Sequence, residues 1–476
     1  MTLGLQIESV TDISTNDLWR GDLFSIVVAA TPDKPQKAYA RLTRMAGLLR
    51  AQDYGILLAI CSPKNDLSSD VEARVAVALG RAKSNIRVIR WDTSEFAEAM
   101  RVHNPGLAAN RALNIQQLDS EDQKDDVLLR RAFSRFQDLI LEELEGGRSD
   151  GCKIWKVEAR HGPSIACEPF VAKAAGREAL MEERSTYLHM VRDSIPFPFQ
   201  APMLDGMFVE GAERALLVSA FVNHASRLDD YLAAPSSPAM VIASLFEKAL
   251  GPRRREFTRE HVSLGVRYVN EEATNTASRQ PRFSLLPAPG RLISAFEDAV
   301  ARRSSLPNPT QLWLLLRQLP VKEHRFCFIH GDLNARNVFV RWNAIDTVLI
   351  DFSHCGMQDS LARDPAKLDT SIALSVGKSE DKLLTELELR RIYAVPLLAQ
   401  LTVVPKDNRL EAVRQIRRHA AADGISDYEY SVLVACHLLR YSRAPGGSNG
   451  DTPTLRFRRS VAYEIATDLL NNSLAV

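Results

Sequence analysis

The chain lacks an excess of either charge. In 476 residues, 60 Lys and Arg stand against 59 Asp and Glu, a formal net charge of +1. Attraction to nucleic acid or an anionic membrane grows with surplus basic groups, so the chain as a whole has no pull towards either. Long apolar runs are also missing. The longest, such as residues 55–61 and the stretch around Leu216-Leu217-Val218, fall far below the ~18–20 residues that cross a bilayer. The opening MTLGLQIESVTDIST has neither a basic n-region nor an apolar h-region; no secretory address is readable and a cytoplasmic location is expected. Cysteine is sparse. Cys61, Cys152, Cys167, Cys327, Cys355 and Cys436 form no Cys-x-x-Cys pair and meet no histidine at metal-finger spacing, which argues against a zinc finger and a disulfide framework and for reduced, buried thiols. No period of 20–50 residues recurs, so a solenoid or propeller is not supported.

What is present is an ordinary globular composition, 45% hydrophobic and 25% charged, in a chain long enough for two or three domains. Near the start, LFSIVVAA, PQKAYARLTRMAGLLRAQ, YGILLAICS, DVEARVAVALGRA and IRVIRW read strand–helix–strand–helix–strand. Unbroken apolar strands joined by helices predict a small three-layer α/β domain with a parallel sheet over residues 1–103. Neither GxGxxG nor a Walker loop accompanies it, so its ligand is unread. Residues 104–138 run from NPGLAANRALN through QLDSEDQKDD to LLRRAFSRFQDLI and read as a connector with a helix. Then come two β-rich segments around a glycine turn, a third strand CEPFVAKAA, and the helix REALMEERSTYLHMVR. Residues 238–320 look mainly helical, with EEATNTASRQPR a surface loop, and the segments after Asp381 form a helical layer.

Chemistry concentrates in FCFIHGDLNARNVFVRWNAIDTVLIDFSHCG, residues 326–356. An apolar strand leads into His330-Gly331-Asp332, Asn337 follows five residues on, and a hairpin over 338–350 delivers Asp351 to the same mouth. Phosphoryl transfer needs a carboxylate beside the acceptor hydroxyl and oxygen ligands that hold Mg²⁺ against nucleotide phosphates. Asp332, Asn337 and Asp351 supply that set. Each residue alone would suit a turn or a strand end; their conjunction is what carries the reading.

The quoted motifs, HGDLNxxNV and LIDF, resemble the catalytic and metal-binding loops of the aminoglycoside-phosphotransferase and choline-kinase-like branch of the protein-kinase-like fold. More narrowly, the layout resembles the ternary-complex-associated, phosphotransferase-like subgroup of bacterial multidomain regulatory proteins. The resemblance implies an α+β two-lobed fold after the α/β domain: a β-rich N-lobe over 139–224 and a helical C-lobe over 225–476. It also implies ATP and Mg²⁺ as cofactors, Asp332 as catalytic base, and Asn337 and Asp351 as metal ligands. Lys173, on the third N-lobe strand, takes the place of the lysine that meets the α/β-phosphates. Its helix offers Glu182 and Glu183 as the pairing acid, with Glu183 preferred. The turn 146–151, with Gly147 and Gly151, takes the place of the phosphate-covering loop, although Asp150 is an odd acid to find there. His330 is expected to brace its loop, and Asp364 either to fix local structure or to face the acceptor.

The leading expectation is transfer of the ATP γ-phosphate to a hydroxyl of a small molecule. A second reading keeps the fold without turnover, as a nucleotide-sensing or scaffold module regulating the N-terminal domain, through which a protein partner could bind. A third gives residues 1–125 a toll/interleukin-receptor-like nucleotide-processing activity, on a faint similarity over 70–81. Arg253-Arg254-Arg255 reads as a solvated helix face, since no aromatic residues interleave with it.

Overall fold

The computed structural model describes strand residues 8–9, 18–20, 24–29, 56–61 and 86–90 and residue 77 in the first 108 positions. From residue 109 onward it describes the chain except 111, 119–122, 145–150, 163–164, 212–213, 235–236, 270–285, 343–345, 357, 375–382, 399–406, 444–451 and 476. Two compact units result: Met1–Ser185 with Pro202–Phe221, and Thr186–Ala201 with Val222–Val476.

The first unit holds two sheets. One has the order β1-β2-β3-β4-β5, built from Glu8–Ser9, Leu18–Arg20, Phe24–Ala29, Ile56–Cys61 and Ile86–Arg90. Its pairs β3–β4 and β4–β5 are parallel, in keeping with unbroken apolar strands, whereas β1 and β2 add antiparallel neighbours that the sequence did not suggest. The helices expected between these strands, and all of segment 70–81 but residue 77, lie outside the described residues.

The second sheet has seven strands: β6 (Asn114–Gln116), β7 (Asp138–Glu143), β8 (Lys153–Gly162), β9 (Ile165–Ala166), β10 (Phe170–Gly176), β11 (Val209–Glu210) and β12 (Arg214–Ala220). Alternation sets its two faces. Trp155, Val157 and Ala159 of β8 point inward with Ala172 and Ala174 of β10, Leu139 and Leu141 of β7, and Leu216 and Val218 of β12. The helix α1, Gln123–Ala132, adds Leu128 and Leu129 to that core. The stretch read as a connector therefore supplies a strand and a helix to this layer. Its helix stops at Ala132, because Asp138–Glu143 pairs with β8 instead of continuing the helical spacing.

In the second unit, β13 (Ala225–Arg227), β16 (Val338–Arg341) and β17 (Asp346–Leu349) form one small sheet. Another joins β14 (Thr258–Val262), β15 (Lys322–Phe328) and β18 (Gln358–Ser360); β14 interrupts a stretch that reads as helical. The rest is a helical layer. Its main members are α3 (Arg363–Leu374), α4 (Asn408–Ala422), α5 (Asp427–Ser442) and α6 (Pro453–Leu474); α2 (Arg177–Thr186) belongs to the first unit, which ends this stretch at Ser185, and a wider helical turn follows at Tyr187–Val191. Helix α5 is buried on nearly every side, as expected of a helix enclosed by others, and packs against α3 and α6. Among the described residues no helix is long and apolar enough to cross a membrane.

Candidate active site

In the first unit, the residues flanking Lys173 decide where it points. Ala172 and Ala174 enter the core, so Lys173 takes the opposite face, in register with Leu217 of β12 and Ile154 of β8. Helix α2 covers that face through Leu180, which packs with Ala175, Ala215 and Leu217. Glu183 lies one turn beyond Leu180 on the same stripe and is nearly buried. Its Oε2 accepts from Lys173 Nζ at 2.8 Å. Of the glycine turn, Gly147 and Asp150 lie outside the described residues. Gly151 ends the turn with φ +79°, a conformation that favours glycine. Its carbonyl accepts from Arg214 at 2.7 Å, while the same guanidinium grips buried Asp125 with bonds of 2.6 and 2.8 Å.

In the second unit, β15 ends in the loop that carries His330, Gly331 and Asp332. Gly331 has φ +80°, and a Cβ there would stand 2.3 Å from the carbonyl oxygen of His354; no larger residue fits without moving the loop. Helix α3 holds this loop along one face. Asp364, Lys367 and Ser371 are spaced i, i+3 and i+7, which aligns them on one stripe. Buried Asp364 accepts the backbone N–H groups of His330 (2.7 Å) and Gly331 (3.0 Å), which settles its role as fixing local structure. Ser371 Oγ accepts the N–H of Ala335 at 3.0 Å. Lys367 Nζ lies 3.4 Å from Asp332 Oδ1.

Asp332 and Asn337 come together. Asn337 Nδ2 donates to the Asp332 carbonyl at 3.0 Å and reaches its Oδ2 at 3.5 Å, while Asn334 Nδ2 donates to the same two oxygens at 3.1 Å. Burial opposes ionisation of Asp332, but Lys367 foremost, then Arg440, His330 and His354, more than offset it. The carboxyl consequently sits below the ordinary aspartate range. The hairpin of β16 and β17 brings Asp351 to the same loop region, with Ile350 N–H donating to the Asn337 carbonyl at 3.1 Å. His330 Nε2 donates to the Ile350 carbonyl at 3.0 Å, so it braces this junction. Asp351 adopts φ +60° and accepts from Ser353 Oγ at 3.0 Å. The neighbouring Phe352 ring lies 5.7 Å from that of His330 and 5.8 Å from that of Tyr187.

Among the described residues no three His, Cys, Asp or Glu side chains converge on a metal site. The pair expected to hold magnesium is of another kind, one amide and one carboxylate, with phosphates completing the shell. The donor chemistry fits: with Nδ2 of Asn337 directed at Asp332, its Oδ1 would be the atom offered to a metal, and oxygen donors suit a hard cation.

A seven-stranded sheet, antiparallel but for its β6–β7 pair, with a lysine–glutamate pair on it, and a helical unit with this loop and hairpin, fit an α+β, protein-kinase-like fold. Residues 210–423 match the family model described as ternary complex associated domain 9. Among solved structures, the chain is similar to an aminoglycoside phosphotransferase from Streptomyces rimosus, with 17% identity, coverage of 59% of this chain and 92% of that one, and a TM-score of 0.28. It is also similar to a type VIII aminoglycoside-3'-phosphotransferase (15% identity, 59% and 93% covered, TM-score 0.29). An ethanolamine kinase from Plasmodium vivax gives 10% identity, 86% and 98% covered, and a TM-score of 0.37. Overlaps of this extent carry no information about substrate. No curated protein matches the chain.

Lys367, Ser371 and Asn334 touch this loop, with Arg440 within electrostatic reach of Asp332, and none of them was legible beforehand. One signal was available. Once Asp364 is assigned to the loop, helical spacing puts Lys367 and Ser371 on the same side.

Proposed function

We propose that the chain is an ATP- and Mg²⁺-dependent phosphotransferase acting on a hydroxyl of a small molecule. The observation that supports this best is the immobilised Asp332. Its loop is held at three points by one helix face, its carboxylate is kept ionised by neighbouring cations, and Asn337 is bonded to it. Asp332 would orient the acceptor hydroxyl and take its proton as oxygen bonds to the γ-phosphorus and the bond to the β-phosphate oxygen breaks, releasing ADP. Lys173, steadied by Glu183, would orient the α/β-phosphates. Asn337 and Asp351 would hold Mg²⁺, which when bound offsets phosphate charge. Such catalysis is positioning and electrostatics.

The test is transfer of labelled γ-phosphate into pooled metabolites by wild-type protein and by Asp332→Ala. We expect transfer by the wild type and a loss of at least about 100-fold in the variant, with ATP binding retained in a thermal-shift titration. Equal transfer by both proteins would remove Asp332 from this role. Nucleotide binding without transfer by the wild type would favour the sensor reading.

A further inference from the structure

The Asp332 carboxylate is gripped from two sides. Its Oδ2 accepts from Asn334 Nδ2 at 3.1 Å and is reached by Asn337 Nδ2 at 3.5 Å. At the other oxygen, Lys367 Nζ stands 3.4 Å from Oδ1, with 20% of the lysine side chain and 23% of the aspartate exposed. A fully solvated pair would be worth little; this one is mostly shielded. The lysine is also anchored at its root. It stands on α3 between Ala366 and Leu368, both fully buried, so the helix cannot roll about its axis without opening the core. One turn before Lys367, Asp364 accepts the N–H groups of His330 and Gly331, and one turn after it Ser371 accepts the N–H of Ala335. The backbone on both sides of Asp332 and the cation that meets its side chain are therefore set by one helix.

We propose that Lys367 is a positioning residue for phosphoryl transfer, which fixes the plane of the Asp332 carboxylate so that Oδ1 is the oxygen presented to the acceptor hydroxyl. The two amides occupy Oδ2. Oδ1 has two lone pairs; it meets Lys367 with one and keeps the other open. Rotation of a carboxylate exchanges its oxygens, and a cation at one with amide donors at the other disfavours every other orientation. As Oδ1 takes the hydroxyl proton, the acceptor oxygen bonds to the γ-phosphorus and the bond to the β-phosphate oxygen breaks. Lys367 keeps its protons throughout and touches neither substrate, so its effect passes through Asp332 alone. The inference rests on the phosphotransferase reading and adds a residue to its machinery.

The test uses the full chain with Mg²⁺, labelled ATP and pooled metabolites as acceptors. Lys367→Met should lower the rate at saturating ATP at least about 10-fold while leaving KM for ATP within about 2-fold. Lys367→Arg, which keeps a cation in the same place, should return most of the rate. The comparison that isolates positioning is made in the Asp332→Ala protein. There Lys367→Met should change the residual rate by less than about 2-fold, since a residue acting through Asp332 has nothing left to position. Undiminished transfer by Lys367→Met would overturn the inference. So would an equal loss in both backgrounds, which would show a role in the fold or on the phosphates instead. Lys367→Gln carries the same expectations should Lys367→Met not fold.

Urea midpoints provide an arm independent of turnover. The shift that Lys367→Met produces in the wild-type background should fall by at least about half in the Asp332→Ala background; equal shifts would show that the pair does not hold the carboxylate and would overturn the inference. Coupled midpoints in a protein that transfers phosphate to nothing would instead sink the phosphotransferase reading and leave the grip of Lys367 on Asp332 standing.

Discussion

Asp364 touches neither of the groups proposed to react, yet it holds the backbone on both sides of the His330–Gly331 peptide. Replacing it with alanine leaves two buried N–H groups without an acceptor, at a cost of about 2–4 kcal/mol, read as a lower denaturation midpoint. Asp364→Asn keeps one acceptor oxygen and should lose less. The sequence placed Asp364 near the site but left its role open, because an aspartate at a helix start suits a cap, a brace or a ligand equally. Lys367 was harder still. A lysine in an amphipathic helix reads as solvated until the helix phase is known, and here the phase is set by Asp364. Cysteine gives a second test at this scale. Burial pushes the Cys327 and Cys436 thiols up to about 12, so neither forms thiolate at pH 8, the reactive species. Iodoacetamide at that pH should spare both in the native protein and modify both in urea, read by peptide mass spectrometry; the less buried Cys152 and Cys167 should react first.

At the scale of elements, close approach limits what the backbone accepts. Helix Leu264–Tyr268 passes Pro309–Arg317 so closely that a Cβ on Gly265 would lie 1.7 Å from the Leu316 carbonyl oxygen. Gly265→Ala must separate the two segments and should cost about 1–3 kcal/mol or more, measured by chemical denaturation. Helix α4 depends on its cap. Asp407 accepts from Arg409 N–H at 2.7 Å and pairs with its guanidinium. Burial raises its pKa, but those bonds outweigh burial and leave it depressed. A depressed folded-state pKa means that the cap's contribution is present above the unfolded value and is lost as pH falls through the folded one. Asp407→Ala should therefore cost about 1 kcal/mol at pH 7, and the difference from wild type should shrink at acid pH. Strands such as β8 and β10 were legible because alternation and pairing agree. The segment before β7 was not: LLRRAFSRFQDLI has helical apolar spacing, and only pairing with β8, a long-range event, stops the helix at Ala132.

For the molecule as a whole, balanced charge has a structural counterpart in the second unit, where several ions are buried against one another. Asp369 on α3 is fully buried. It accepts from Arg417 of α4 at 2.7 Å, from Tyr430 of α5 at 2.9 Å and from Tyr393 at 3.1 Å, while Arg417 also donates to the Ile392 carbonyl at 2.6 Å. One carboxylate thereby joins α3, the helix that positions the Asp332 loop, to α4, α5 and the segment at Tyr393. Burial first, and then the Asp369 charge, raise both phenols well above the ordinary tyrosine range, so neither should ionise in a spectrophotometric titration until the protein unfolds. Removing the carboxylate strands a guanidinium and two hydroxyls in an apolar setting, and breaking such a pair costs about 3–5 kcal/mol. Removing both charges costs less, because nothing charged is left unpaired. Asp369→Leu should therefore destabilise the protein more than Asp369→Leu combined with Arg417→Met, a double-mutant comparison read from urea midpoints. The same order should hold for phosphate transfer, since α3 carries Asp364 and Lys367 to the loop; a double variant no more stable and no more active than Asp369→Leu would show that α3 is fixed by apolar packing instead of by this network.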